Sequence, residues 1–171
     1  NWGPSGQYVT IFGENFGTSE GYVWFERAAP PHALGDLEFP AQCGSDFWFD
    51  DHIIVKVPNK YVTDPGDPLD PITFTTHDIK VVRPDAAFSN TKEFVVLDDT
   101  PGPAICRIQP SAGPEVTTLT TLSGENLGSV SGNVTFFNSL MSPAGYIWNN
   151  TQVQNVAVPA STATGPVFAT D

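Results

Sequence analysis

The chain contains itself twice, and no other feature constrains its fold as strongly. Residues 13–25 read GENFGTSEGYVWF, and residues 124–136 read GENLGSVSGNVTF. Gly13, Gly17, Gly21 and Phe25 return as Gly124, Gly128, Gly132 and Phe136, each 111 positions later. A second anchor, Trp48 with Val57-Pro58, returns as Trp148 with Val158-Pro159. A chain of 171 residues can form one large domain or two modest ones, and the repeat decides for two in series. The boundaries expected are 1–98 for the first domain, 99–104 for a linker and 105–171 for the second. The linker region, DDTPGPA at 98–104, carries two prolines and is expected to be stiff.

Gly and Pro number 15 and 16, Val, Thr and Phe are frequent, and long runs of Ala, Leu, Glu and Lys are absent. That composition predicts an all-β chain with many turns. Strands are expected at Tyr8–Phe12, Tyr22–Phe25, Ile53–Val57, 74–83, 92–97 and Ile105–Ile108. Gly13 and Gly17 suit a tight turn that needs positive φ. Between them Phe16, like Leu127 in the second copy, is an apolar residue in a polar loop and reads as a plug folded back into the core.

Laying one copy over the other assigns faces. Val23 and Phe25 match Val134 and Phe136, so they point inward. Tyr22 and Trp24 match Asn133 and Thr135, so they point outward. The stretch 26–47, which holds Cys43, is 11 residues longer than its counterpart in the second copy, because the Trp48-to-Trp148 offset falls to 100. The offset returns to 101 by Pro58, so the second copy gains one residue after its Trp, and a β-bulge is the simple explanation.

These residues together resemble the IPT/TIG family of immunoglobulin-like domains. The second copy supplies Ile108, Pro110, Gly113, Gly124, Gly128, Gly132, Trp148 and Pro159. The first supplies Gly13 through Phe25, Trp48, Pro58, Ser89-Asn90 and Phe94. The resemblance covers nearly the whole chain and implies two tandem immunoglobulin-like β-sandwiches of about seven strands each. It implies that Trp48 and Trp148 are core residues, and it carries no obligatory catalytic site. Nothing in the second copy matches Phe94–Val96, and nothing in the first matches Ile105–Ile108. The sequence therefore reads as an excerpt cut out of phase with its repeat, with the first strand of one domain and the last of the other outside it.

Net charge is −12, and the acid is uneven: residues 1–100 hold 16 acids against 6 bases, residues 101–171 hold 3 against 1. Such a surface repels phosphate backbones, which argues against nucleic acid as a partner. No apolar run reaches the roughly 18 residues of a membrane span, so direct insertion is not expected. Cys43 and Cys106 are a disulfide candidate that would staple the domains, and their spacing fits no CxxC redox or zinc site. Asp64, Asp67 and Asp70 in DPGDPLDP are hard oxygen donors of the kind calcium takes. The DxDxDG spacing is absent, however, and a solvated acidic turn is the stronger reading; no cofactor is expected. Asn133-Val-Thr and Asn149-Asn-Thr fit the glycosylation sequon. His32, His52 and His77 form no ligand pattern, and no nucleophile elbow or phosphate loop is present, so no enzyme is expected.

The function these features point to is a non-catalytic structural or assembly module. It belongs in an extracellular or cell-surface protein: a fibre, an adhesin or a receptor ectodomain. Its partners would be neighbouring domains or adjacent subunits. The alternative is a carbohydrate-binding module that uses Tyr22 and Trp24, since a pair of outward aromatics can stack on sugar rings.

Overall fold

The structure, a computed structural model, describes residues 1–26, 32–45, 47–59, 74–142 and 145–170. Asp64, Asp67 and Asp70 lie outside the described residues. The described chain is all-β, and none of its helices is long and apolar enough to cross a membrane. It divides into two compact units, one of Asn1–Glu38 with Phe47–Pro101, the other of Phe39–Asp46 with Gly102–Asp171.

The first unit contains β1 (Trp2–Pro4), β2 (Tyr8–Phe12), β3 (Tyr22–Glu26), β4 (Ala33–Leu34), β5 (His52–Lys56), β6 (Thr76–Val82) and β7 (Lys92–Leu97). They form a five-stranded sheet in the order β1-β7-β6-β3-β4 and a two-stranded sheet, β2-β5. All pairs are antiparallel except β1 with β7, which is parallel. Alternation along each strand sends Val23, Phe25, Ile79, Val81, Phe94 and Val96 of one sheet and Ile53 and Val55 of the other into a single core. Phe25 meets Phe94 edge-on at 5.8 Å between ring centroids. Trp48 is buried in the same core.

The second unit contains β8 (Ala104–Gln109), β9 (Leu119–Glu125), β10 (Asn133–Phe136), β11 (Leu140–Met141), β12 (Ile147–Asn149), β13 (Gln152–Ala157) and β14 (Phe168–Thr170). Its sheets run β12-β13-β9-β8 and β11-β10-β14. The repeat in sequence is thus a repeat in pairing. The β2-β5 pair returns as β9-β13 and the β3-β6 pair as β10-β14, all antiparallel. Leu122, Leu127, Val134, Phe136, Val153 and Val156 form the core, with Trp148 packed against it.

The GENFG and GENLG turns are locked the same way. Phe16 and Leu127 are both buried, as plugs must be. The Phe16 amide donates to the Asp50 carbonyl (3.0 Å), as Leu127 does to Asn150 (3.1 Å). The Gly17 amide donates to Asp50 Oδ1 (2.8 Å), as Gly128 does to Asn150 Oδ1 (3.2 Å). The expectation of positive φ holds for Gly17 (76°) but not for Gly13; its other positive-φ residue is Asn15 (62°), matched by Asn126 (56°). Gly13 is needed for a different reason: a Cβ there would run into the ring of Phe16. The extra residue of the second copy sits where the β13–β9 register slips between Val153 and Val156, a bulge around Asn155 at φ 61°. The regular β2–β5 ladder has no such slip.

Three features differ from those the sequence suggests. The unit border falls at Pro101 and Gly102, inside the expected linker, and Ala104 already belongs to β8. Phe39–Asp46, which lies within the first copy in sequence, belongs to the second unit. A short strand, β1, pairs Trp2 with Val95 at a place where the sequence shows no strand signal. The edge of β9 that carries β8 has no paired counterpart on β2 among the described residues. Instead a cleft of about 550 Å³, lined in part by Val9, Ile11, Ile79 and Phe94, lies beside it.

Candidate functional site

The outer face of the five-stranded sheet is where the first unit departs from the second. Because Val23 and Phe25 are taken by the core, Tyr22, Trp24 and Glu26 must face away from it. Tyr22 is 57% exposed and Trp24 half-buried. Trp24 lies opposite Leu34 on β4 and Lys80 on β6. The residue before β4, His32, stacks on the Trp24 indole, with centroids 5.6 Å apart and planes 11° apart. Tyr22, Trp24, His32 and Leu34 line an open recess of about 300 Å³.

Electrostatics hold the indole in place. Lys80 Nζ lies 5.8 Å from the Trp24 ring centroid and 5.5 Å from that of Phe88, which is 72% exposed. The same ammonium donates to Glu26 Oε1 at 2.7 Å, with both side chains about four-fifths buried. Trp24 is therefore contacted by His32 from the β4 side and by an already paired cation from the β6 side. A pre-set aromatic loses little rotamer freedom on binding, which favours its use as an anchor.

At the equivalent place the second unit has Thr135, between Met141 and Phe168. The sequon asparagines are both exposed. Asn133 starts β10, and Asn149 Oδ1 accepts hydrogen bonds from the amides of Thr151 (2.9 Å) and Gln152 (2.8 Å).

Cys43 and Cys106 are joined by a disulfide, with Cα atoms 5.5 Å apart. Both lie in the second unit, since Ala41–Cys43 is a short 3₁₀ turn within Phe39–Asp46. The bridge therefore ties that segment to β8 within the second unit, and the staple between domains that the sequence suggests is not what it forms. Asp50 and Asp51 serve local structure. Asp50 closes the Gly17 turn, and Asp51 hydrogen-bonds to His52 Nδ1 at 2.7 Å, an interaction that holds its carboxyl below the usual carboxylate range. Among the described residues no group of three His, Cys, Asp or Glu side chains is placed to hold a metal ion.

Sequence reasoning picks out Tyr22 and Trp24 but not His32 or Leu34. Those two reach the face only because a two-residue strand pairs with the edge of β3, and two residues leave no periodicity to read.

No protein-family model matches the chain, and no curated protein matches it. Among solved structures, a surface glycan-binding protein from Prevotella bryantii is similar, at 12% identity over 95% of this chain and a TM-score of 0.32. A structure described as containing a xylogluco-oligosaccharide is similar at 17% identity over 95% of this chain, with a TM-score of 0.30. The chain spans about a third of the length of each, 33% and 34%.

Proposed function

We propose that this chain is a non-catalytic, glycan-binding part of an extracellular or cell-surface protein, built from two tandem immunoglobulin-like β-sandwiches of the IPT/TIG type. The observation that carries the reading is the exposed aromatic recess of Tyr22, Trp24, His32 and Leu34. Flat aromatic surfaces bind the apolar faces of sugar rings. The disulfide supports an oxidising compartment.

Trp24→Ala is the direct test. Trp24 is half-buried on an outer face, so its loss should cost the fold only about 1 kcal/mol. Polysaccharide affinity should fall roughly tenfold or more, equivalent to about 1.4 kcal/mol. Titration calorimetry against a panel of soluble polysaccharides reads both wild type and variant. Wild-type affinity that survives Trp24→Ala unchanged rejects this face as the site.

A second reading, a structural or assembly module, rests on a different observation. Among the described residues no strand is hydrogen-bonded to β2 on the side away from β5, and that side lies beside the 550 Å³ cleft, a place where a strand from a neighbour would add. Sedimentation across a concentration series distinguishes it, since strand addition predicts association without any sugar.

A further inference from the structure

The outer face does not end at Trp24. At its far corner Trp2, 71% exposed on β1, sits opposite Val95 of β7, and with Leu97 they line a second open recess of about 300 Å³. Between the two corners the register places Glu26, Asp78 and Glu93 directly opposite one another on β3, β6 and β7. Three carboxylates in one cross-strand row repel each other, and among the described residues the ion pair that offsets this is that of Glu26 with Lys80.

We infer that Trp2, Val95 and Leu97 form a second sugar-stacking subsite, so that a neutral glycan chain lies diagonally across this sheet from Trp24 to Trp2. The inference rests on the glycan-binding reading and extends it to ligand length and charge. The pairing supplies the span. Trp24 and Trp2 are three strand spacings apart across the sheet, and four residues apart along it, from Lys80 to Thr76. At the usual strand spacing and rise this is roughly 14 Å by 13 Å, or about 20 Å on the diagonal. A disaccharide is too short to touch both recesses, whereas a hexasaccharide reaches both.

Charge selects the class of sugar. Carboxylates midway along the path accept hydrogen bonds from hydroxyl groups and repel anionic sugars. The one cation of the described outer face, Lys80, is committed to Glu26. The open shape of both recesses suits a chain bound lengthwise rather than a terminal sugar held in a socket.

The test is calorimetric titration of the full chain with cello-, xylo- and manno-oligosaccharides of two and six sugars, and with hexagalacturonate. For the preferred neutral series, the hexasaccharide should bind at least tenfold more tightly than the disaccharide. Trp2→Ala should abolish that gain and leave disaccharide affinity unchanged, and Trp2→Phe should restore most of it. An unchanged melting temperature checks that the exposed Trp2 position is not needed for folding. A length gain that persists in Trp2→Ala, or no gain in wild type, overturns the extended site while leaving Trp24 as a single subsite. Hexagalacturonate binding as tightly as a neutral hexasaccharide overturns the charge argument. Failure of every oligosaccharide to bind wild type overturns this inference and the glycan reading together.

Discussion

Phe25→Ala should unfold the first unit under conditions where Trp24→Ala, one residue away, leaves it intact. Phe25 is fully buried, meets Phe94 edge-on and draws on both sheets of its core. Truncating such a side chain removes its transfer free energy and leaves a cavity, a loss of about 3–5 kcal/mol. Domains of this size are stable by only about 5–15 kcal/mol, so most of the margin is at stake. Hydrogen exchange resolves the effect by unit. Amides of β3 and β6 should lose protection steeply, while those of β9 and β13, whose core is a separate cluster, should hold theirs. Equal losses in both units would sink the claim of separate cores.

The second large effect concerns the disulfide. Replacing Cys43 and Cys106 together with serine opens a loop of 63 residues. On the chain-entropy account this costs about 4 kcal/mol, within a usual range of roughly 2–5 kcal/mol. Both cysteines belong to the second unit, so its melting transition should shift downward in the double variant and on reduction of the wild type. Exchange protection in β8 and β9 reports that unit and β3 reports the first. A loss confined to β3, or no loss anywhere, would contradict the assignment of Phe39–Asp46 to the second unit.

The parts legible in the sequence are those that one copy predicts of the other. Phe16 and Leu127 read as plugs because a polar loop repeats an apolar residue at one place. The inward Val23 and Phe25 follow from period-2 alternation checked against Val134 and Phe136. Even the bulge near Asn155 shows as a one-residue change of offset. What stays hidden is whatever depends on pairing between distant segments. His32 and Leu34 join Trp24 through a two-residue edge strand. Trp2 reaches its face through a parallel pairing with Val95 that leaves no local pattern. The home of Phe39–Asp46 is set by a covalent bond and by packing, neither of which the repeat encodes. The role of Gly13 is also hidden, because a glycine kept for close approach looks the same in sequence as one kept for positive φ.

The placement of Phe39–Asp46 also bears on how this chain can be inherited. The second unit draws eight of its residues and half of its only disulfide from a stretch encoded within the first repeat. A gene fragment starting at Gly102 would encode a unit with an orphan thiol at Cys106, and one ending at Pro101 would carry the matching orphan at Cys43. Recombination that moved a single repeat would therefore leave an unpaired cysteine at either break. The smallest piece that can be duplicated or moved without that penalty is the pair.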